Sequence, residues 1–334
     1  MAEGSRPLIE LESLSVEFPN RHRNAGEPHN IVAVDDLSLA IEKGEILGIV
    51  GESGSGKTTL GKTMLRLYRP SRGRIRYAGT DITSLDDAAL RPHRRDLQMI
   101  FQDPLSSFNP RTRIGDAIAL PLRIHRLCTA AERVREVDRL LERVGLSRRF
   151  KMRFPHEMSG GQLQRVAIAR ALALRPRVIV ADESVSKLDV SVRAQILNLF
   201  RDVQRETGVA LVFVTHDLRV ARYLCQRIAV MFFGRLVELG PAQALFAEPR
   251  HPYTRQLLGS VRETPAETPG EPLPPAGPEG CRYRSRCRIA EALCAERVPP
   301  LLASGPRRAV ACHLALAAEG QAVGGGGARV RLNE

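Results

Sequence analysis

The sequence predicts an α/β fold with a mostly parallel β-sheet covered by helices on both faces. Two observations carry this prediction. Short apolar runs alternate with helical stretches from residue 8 to about residue 258. The clearest of these runs, Glu45 to Gly51, leads directly into the glycine-rich segment Gly51 to Thr58 and then into a helix. That strand–loop–helix order is typical of a phosphate-binding unit.

The predicted elements follow one another along the chain in a regular alternation. Strands are predicted at residues 45–51, 97–102, 177–182, 209–215 and 227–233, and helices at residues 57–68, 129–145, 159–174 and 217–224. Two of these helices begin with capping boxes, Thr129-Ala-Ala-Glu132 and Ser159-Gly-Gly-Gln162. Because strands and helices alternate rather than cluster, the strands are expected to pair mainly in parallel.

The composition changes after Ser260. Residues 259–280 are rich in proline and glycine without any periodicity, which predicts a semi-rigid linker. Residues 281–316 form a small cysteine-containing segment, and residues 317–334, with four consecutive glycines, are predicted to be a disordered tail. The main domain is therefore expected to end near residue 258.

Composition restricts the classes of partner. A hydrophobic content of 43% over 334 residues allows a large core, whereas 4% aromatic residues and no tryptophan argue against a stacking platform for single-stranded nucleic acid. The net charge of +13 attracts polyanions, but no run of five basic residues occurs, so we expect a charged, solvated surface and no nucleic-acid partner.

Hydropathy indicates a protein made and kept in the cytosol. No apolar stretch approaches the roughly 20 residues that a membrane-spanning helix needs. The segment Met1 to Leu14 lacks the apolar core of a signal peptide. We therefore expect any contact with a membrane to come from its surface or through a partner.

The segment Gly51 to Thr58 fits the phosphate-loop pattern G-x-x-x-x-G-K-[ST]. Its glycines let backbone N–H groups surround phosphate oxygens, and the following helix adds the positive end of its dipole. Lys57 is expected to reach the β- and γ-phosphates, and the Thr58 hydroxyl to bind Mg²⁺. The alternative, a glycine-rich turn that binds nothing, is disfavoured by the flanking strand and helix. The predicted ATP-binding residues here are Gly51, Glu52, Ser53, Gly54, Ser55, Gly56, Lys57, Thr58 and Thr59.

Two acidic residues end the apolar strand Val178 to Asp182. Asp182 is predicted to hold Mg²⁺, and Glu183 to polarise the attacking water as general base. Two acids after a strand usually mark an ordinary loop, and only the phosphate loop elsewhere in the chain makes this pair informative. His216 follows another predicted strand in the triplet Thr-His-Asp and is a third catalytic candidate.

The helix after Met158 offers a second anion site. Ser159 caps it, and Gly160 and Gly161 leave its first N–H groups exposed. An ordinary capped helix is the plain interpretation. The functional interpretation is that Ser159, Gly160, Gly161 and Gln162 bind the γ-phosphate held by another subunit.

Together these motifs resemble the ATP-binding cassette family over roughly residues 8–258. The resemblance implies a P-loop NTPase cassette with an antiparallel β subdomain and a helical subdomain at about residues 103–175. Residues 158–162 look like the family signature, with Met158 where leucine is usual. Gln102 matches the loop glutamine that touches Mg²⁺ and senses the membrane partner. Ser186 and Asp189 match the loop that crosses the dimer interface, and Phe18 matches the aromatic residue that stacks on adenine.

In this family two cassettes pack head to tail, and ATP lies between the phosphate loop of one and the signature of the other. Water then attacks the γ-phosphate in line. Two positions depart from the pattern. Ser184 stands where proline is usual, and Lys187 stands where a small residue is expected, so the hydrolysis rate or partner choice could differ from the family.

Three segments resemble the oligopeptide, dipeptide and nickel importer subfamily. They are Phe101 to Arg111, Pro249 to Thr254 with the following leucines, and the cysteine segment. The insertion between Phe18 and Ile31 is more similar to the second ATPase of the usual pair. This resemblance implies an ATPase that energises a membrane importer of di- or oligopeptides or a related solute.

The implied assembly contains a second cassette subunit, with a heterodimer favoured over a homodimer, and two multi-span permease subunits. An extracytoplasmic solute-binding protein is an indirect partner. The chain would sit peripherally on the cytoplasmic face of the membrane. Alternatives are a soluble cassette ATPase, which usually has two cassettes or a long coiled coil, and a regulatory subunit without turnover, which would lack Glu183 or His216.

Four cysteines follow the predicted linker, with five, six and seventeen residues between them. They are Cys281, Cys287, Cys294 and Cys312. Disulfides are not expected in a reducing cytosol, and the spacing lacks the C-x₂-C pairs usual for zinc. The subfamily resemblance implies a [4Fe–4S] cluster, with zinc or four reduced structural thiols as the alternatives.

Overall fold

The computed structural model describes residues 6–21, 29–186, 188–259 and 279–317. Its strands are β1 Ile9–Pro19, β2 Asn30–Ile41, β3 Ile46–Val50, β4 Arg72–Tyr77, β5 Thr80–Asp81, β6 Leu97–Ile100, β7 Val178–Asp182, β8 Ala210–Thr215, β9 Arg227–Phe232, β10 Arg235–Pro241, β11 Leu302–Ala303 and β12 Ala309–Val310. Its α-helices are α1 Lys57–Met64, α2 Asp87–Asp96, α3 Ile114–Ile124, α4 Ala130–Arg143, α5 Gly160–Leu172, α6 Val190–Thr207, α7 Leu218–Leu224, α8 Ala242–Ala247, α9 Pro252–Gly259, α10 Ala292–Glu296 and α11 His313–Ala317. Short 3₁₀ helices lie at Leu105–Ser107, Arg148–Met152, Pro155–Glu157 and Arg284–Arg286.

The chain divides into two compact units. The first contains residues 1–42, 46–83 and 215–334, and the second contains residues 43–45 and 84–214. Several sequence predictions fall on residues that the structure does not describe. These are most of the linker, most of the tail, the insertion at residues 22–28, and Lys187.

The first unit contains an antiparallel sheet and a mixed sheet. Strands β2, β1, β4 and β5 pair in that order, and their long β1–β2 pairing buries alternate apolar side chains. In the mixed sheet, β3 pairs in parallel with β9, and β10 follows in antiparallel orientation. Strands β12 and β11, from the predicted cysteine-containing segment, extend this sheet at β10. The cysteine-containing segment is thus built onto the same sheet that carries the phosphate loop.

The second unit contains three parallel strands in the order β8, β7, β6 with helices α3 to α6. All five residues of β7 and all six of β8 are buried, as expected for parallel strands covered on both faces. Helices α3, α4 and α5 pack against one another through apolar stripes. The largest buried face belongs to α5, whose Leu163, Val166, Ile168 and Leu172 are almost fully inaccessible.

The predicted helix starts are confirmed, and one predicted helix end is wrong. The capping boxes of Thr129 and Ser159 are both formed, at the first turns of α4 and α5. The helix predicted to run to Tyr68 ends at Met64 instead. Arg66 adopts the left-handed conformation with φ of 55° and its N–H bonds to the Thr63 carbonyl, so the helical hydrogen bonding stops there.

None of the helices in the described ranges is both long enough and apolar enough to cross a membrane.

Candidate active site

The phosphate loop begins where the fully buried strand β3 ends. Gly56 adopts φ of 96°, and a Cβ atom built on it would lie 2.1 Å from the carbonyl oxygen of Ala33. A Cβ on Gly51 would lie 2.2 Å from the carbonyl oxygen of Met231. Both positions require glycine because the neighbouring backbones come too close for a side chain. The loop is therefore shaped by packing against two other segments of the first unit.

Lys57 lies inside this loop and is only 5% exposed. Its Nζ donates to the carbonyl oxygens of Gly51 and Glu52 at 2.9 and 2.7 Å, and it lies 3.4 Å from Ser55 Oγ. Helix α1 starts at this lysine, and its N-cap residue, Gly56, contributes no side-chain hydrogen bond. The amine is thus held by the loop itself at the start of a helix whose N-terminus lacks a capping side chain, which suits anion binding.

Glu52, the second residue of the phosphate loop, is held by Tyr253 and Arg286, neither of which the sequence predicts as a site residue. The Glu52 N–H donates to Tyr253 Oη at 2.9 Å. The Glu52 carboxylate accepts two hydrogen bonds from the Arg286 guanidinium, at 2.8 and 2.9 Å. Tyr253 belongs to the Pro249 to Thr254 segment, for which the sequence predicts only a subfamily resemblance. No local pattern marks Arg286, because its partner lies 234 positions earlier in the chain.

Tyr253 stays neutral in this environment. Its side chain is fully buried, and burial together with the nearby Glu52 carboxylate raises the pKa of the phenol. The Tyr253 N–H in turn donates to Nδ1 of His251 at 3.1 Å. Burial lowers the pKa of His251 to about 3, so the imidazole is neutral at physiological pH and its Nδ1 can accept that bond.

Asp182 and Glu183, the two predicted catalytic and metal-binding carboxylates, lie at the end of β7 in the second unit. Asp182 is 3% exposed and closes the strand. Glu183 follows in the left-handed conformation with φ of 40°, and its N–H donates to the Val214 carbonyl at 2.9 Å. A non-glycine residue in this region stores about 1–3 kcal/mol of backbone strain, which is common at functional positions. The backbone geometry turns Glu183 away from the strand direction.

Gln102 and Glu183 are brought together although 81 positions separate them. Gln102 Nε2 donates to Glu183 Oε2 at 2.7 Å. Both backbone N–H and Oγ of Ser186 donate to the Glu183 carbonyl, at 3.1 and 2.9 Å. These bonds define a turn, Asp182 to Ser186, that holds the predicted general base beside one exposed amide.

Helix α5, which begins with the signature residues, has its first turn at the surface. Ser159 Oγ accepts from the Gln162 N–H at 3.3 Å, and Gln162 Oε1 accepts from the Ser159 N–H at 3.1 Å. Ser159 and Gly160 are exposed. Helix α6 packs close to Gly161, because a Cβ there would lie 2.5 Å from Cγ1 of Val192. The capping prediction is confirmed, and the first turn faces outward, as a subunit interface requires.

The remaining predicted residues lie on other elements. Asp189 is the exposed N-cap of α6 and makes no side-chain cap bond. His216 is exposed directly after β8. Phe18 is half-buried at the end of β1 with its ring edge-on to Tyr68, at a centroid distance of 5.4 Å. Their predicted roles remain predictions.

The C-terminal cysteines are free thiols without a metal-ligand arrangement. Within residues 6–21, 29–186, 188–259 and 279–317, no three His, Cys, Asp or Glu side chains are grouped to hold a metal ion. Burial raises the pKa of Cys281 to about 11, with smaller contributions from the other three thiols, and burial also raises the pKa of Cys287. The grouping of the described side chains therefore does not support the predicted iron–sulfur cluster.

Comparison with known proteins identifies the family. The family description "ABC transporter" matches residues 34–186, and "Oligopeptide/dipeptide transporter, C-terminal region" matches residues 237–294. The oligopeptide transport ATP-binding protein AppF of Bacillus subtilis is 43% identical over 328 residues, covering 94% of this chain and 99% of that protein. The probable peptide ABC transporter ATP-binding protein y4tS of Sinorhizobium fredii is 46% identical, covering 93% of this chain and 90% of that protein.

Solved structures show the same fold. The dimeric post-hydrolysis structure of the ATP-binding cassette MJ0796 bound to ADP and Pi has a TM-score of 0.63 and 31% identity, covering 70% of this chain and 98% of that one. The chain therefore belongs to the ABC transporter family of ATP-binding proteins. It is an ATP-binding and ATP-hydrolysing enzyme with the predicted cassette fold.

Proposed function

We propose that this ATPase energises a membrane importer of di- or oligopeptides or a related solute. The observation that carries the proposal is the preformed phosphate loop, in which buried Lys57 is held at the start of α1. The direction and the solute class rest on relatives described as oligopeptide or peptide transport ATP-binding proteins, which match over nearly the whole chain. Selectivity for the solute lies in other subunits.

The proposed chemistry assigns one task to each residue. Lys57 and the loop N–H groups bind the β- and γ-phosphates, and Phe18 stacks on adenine. Glu183 accepts a proton from the attacking water, and Gln102 is its partner before ATP binds, through a 2.7 Å hydrogen bond. His216 contacts the γ-phosphate.

The oxygen donors of Thr58, Asp182 and Gln102 would hold Mg²⁺, which prefers such ligands and neutralises phosphate charge. Buried Asp182 fits this role, because a carboxylate that is 3% exposed gains from a cation in its surroundings. We propose no other resident metal.

A partner cassette completes the proposed site. Ser159, Gly160, Gly161 and Gln162 bind the γ-phosphate of ATP held by the second subunit, and Ser186 and Asp189 line the interface. The outward-facing first turn of α5 supports this arrangement, because its small residues let the partner's phosphate approach the helix N-terminus. We propose a heterodimer with a related cassette, and a homodimer is the alternative.

Two multi-span permease subunits are the proposed membrane partners, with an extracytoplasmic solute-binding protein acting through them. The second unit offers a cleft of about 780 Å³ between the Ser107–Gly115 region and helices α3 and α4. Leu120, Val134 and Met152 line it and are 41%, 55% and 57% exposed. Exposed apolar side chains around a cleft are typical of a docking surface. The chain would then lie peripherally on the cytoplasmic face.

The four C-terminal cysteines enter this proposal as reduced thiols, because their described geometry lacks a ligand set. Anaerobically purified protein is expected to contain less than stoichiometric iron, sulfide and zinc. Four irons per chain with a brown absorbance would restore the [4Fe–4S] cluster, and one tightly bound zinc would restore the zinc alternative.

The decisive experiment is a Glu183→Gln substitution. We expect turnover to fall by about 10²–10⁴-fold with ATP binding retained, since a general base contributes that range. Vanadate-sensitive phosphate release measures turnover, and a fluorescent ATP analogue measures binding. Glu142→Gln is the control, because Glu142 pairs with Arg148 on the exposed surface of the same unit.

Unchanged turnover in Glu183→Gln would contradict the assigned base. A wild-type protein that binds ATP without turnover, even with its partner cassette, would favour the regulatory alternative. Purification from membranes without any multi-span subunit would favour the soluble alternative.

A further inference from the structure

We propose that Arg286, in the cysteine-containing segment, is a positioning residue for ATP binding that holds the phosphate loop through Glu52. The proposal rests on the proposed use of this loop for ATP. It makes the segment after the linker part of the nucleotide site. Tyr253 supports the same loop residue from another side.

The contact has the geometry of a specific clamp. Both terminal nitrogens of the Arg286 guanidinium donate, one to each carboxylate oxygen of Glu52, at 2.9 and 2.8 Å. Bidentate pairs of this kind are stronger and more directional than single ion pairs. The Arg286 side chain is only 14% exposed, whereas Glu52 is 36% exposed. The pair is therefore better shielded than the surface ion pairs that contribute little.

Two aromatic rings contact the Arg286 guanidinium. Arg286 Cζ lies 5.6 Å from the ring centroid of Phe232 and 5.8 Å from that of Tyr283. The Tyr253 ring lies 4.6 Å from Phe232 and 5.6 Å from Tyr283. Cation–π contacts with a packed aromatic cluster limit the positions that the arginine can adopt. The clamp is thus anchored in the core of the first unit.

Glu52 is held at three chemically different points. Its N–H donates to Tyr253 Oη, its carboxylate accepts from Arg286, and its carbonyl accepts from Lys57 Nζ at 2.7 Å. When Lys57 turns toward bound phosphates, the third of these bonds is lost. The other two do not involve Lys57, so they keep the loop backbone in place. A loop that stays ordered loses less conformational entropy when ATP binds.

A second arginine from the same segment supports the other side of the loop. Arg282 donates to the carbonyl of Phe233 and pairs with Asp35 at 2.5 Å. The next residue, Gly234, donates its N–H to the Ser55 carbonyl at 2.9 Å. Arg282 acts through an intervening residue, whereas Arg286 touches the loop directly. Arg286 is therefore the position at which the proposal is tested.

The test uses the full-length protein and a fluorescent ATP analogue. Arg286→Met is expected to raise the Kd for the analogue about tenfold, and to raise the KM for ATP similarly with kcat within about twofold. Arg286→Lys keeps one charged donor without the fork, so an intermediate Kd is expected. The double variant Glu52→Gln/Arg286→Met should raise the Kd no more than either single variant does, because both substitutions remove the same interaction.

Arg284→Met is the matched control. Arg284 lies two positions away on the same 3₁₀ helix, and it donates to the carbonyls of Glu279 and Ala295 instead of to the phosphate loop. We expect its Kd to stay within about twofold of the wild type. A comparable loss in Arg284→Met would mean that any damage to the segment weakens binding, and it would overturn the proposal.

Further outcomes separate this inference from the proposed function. If the wild type binds the ATP analogue and Arg286→Met binds it equally tightly, only the proposed role of Arg286 is overturned. Failure of the wild type to bind ATP would overturn the proposed function. If Arg286→Met fails to fold, as judged by thermal unfolding, Glu52→Gln removes the same pair from the other side, and an unchanged Kd there would refute the proposal.

Discussion

Two loops carry the proposed chemistry, and their described hydrogen bonds differ. The phosphate loop of the first unit is held by partners far away in the sequence, including Tyr253 and Arg286. The turn Asp182 to Ser186 of the second unit has two bonds between its own residues, both from Ser186 to the Glu183 carbonyl, and it also bonds to the Val214 carbonyl and the Gln102 side chain. Each loop follows a fully buried strand, so burial of the preceding strand does not explain why the two loops are held differently.

The difference matches what each loop has to do. A phosphate cradle must present several N–H groups at fixed positions, and long-range packing fixes them before the ligand arrives. A general base must release its resting partner when water and phosphate approach. An exposed amide such as that of Gln102 can leave Glu183 at little cost, because water replaces the bond.

The largest effect is expected from Gly56→Ala. The new Cβ would lie 2.1 Å from the Ala33 carbonyl at φ of 96°, so the loop must shift and ATP binding should be lost. We expect at least about 3 kcal/mol of destabilisation from strain and displacement. Urea unfolding measures it. Gly54→Ala is the matched comparison, because Gly54 has φ of 79° but no described atom within 4 Å of an added Cβ. Equal losses in both variants would refute the packing explanation.

His251 tests whether the long-range support of the loop is pH-sensitive. Its folded pKa is about 3 and its ordinary value is 6.5, so the unfolded chain binds an extra proton between these values. The stability contribution is complete above pH 6.5 and is lost on acidification, by about 1.4 kcal/mol per pH unit. Urea unfolding at pH 7 and pH 5 should show about 2 kcal/mol from this residue.

His251→Asn is the control for this prediction. Asparagine offers an acceptor close to the position of Nδ1 but does not titrate, so the pH dependence should shrink by that amount. An unchanged pH dependence in the variant would show that His251 does not carry it.

Gln102→Glu probes the carboxylate turn. A second carboxylate 2.7 Å from Glu183 raises the pKa of one member of the pair. We expect turnover at pH 7 to fall about tenfold, or 1.4 kcal/mol, and the acidic limb of the pH–rate profile to move to higher pH. Gln195→Glu, on an exposed position of α6, adds the same charge elsewhere and should leave the profile in place. A shift in both variants would point to net charge instead of the local contact.

The smallest effect is expected from Ser184→Ala. Ser184 is 3% exposed, and its buried Oγ has no hydrogen-bond partner among the described residues. Removing an unsatisfied hydroxyl should stabilise the protein by up to about 1 kcal/mol in urea unfolding. Ser186→Ala is the contrast, because its Oγ donates to the Glu183 carbonyl and its loss should destabilise. Destabilisation by Ser184→Ala would indicate a bound water at this position.

The sequence predicted the local features of this protein well. The phosphate loop, the capped starts of α4 and α5, and strands β3, β6, β7, β8 and β9 follow from patterns within a few residues, whereas α2, α3 and α6 were not predicted. The wrong end of α1 depends on the left-handed conformation of Arg66, which is uncommon for arginine and which no pattern in the neighbouring residues predicts. The four cysteines differ, because only the subfamily resemblance implied an iron–sulfur cluster, and the described side chains form no group that could hold a metal ion.

By itself, the sequence determined the fold class, the phosphate loop and the identity of the candidate base, Glu183. These depend on glycine conformations, strand periodicity and helix capping, which act between near neighbours. Only the tertiary structure decided that Arg286 holds Glu52, that Tyr253 binds the same loop, and that Gln102 touches Glu183. Such contacts join residues 81 to 234 positions apart, and no periodicity in the chain records which distant side chains the packed sheets bring together.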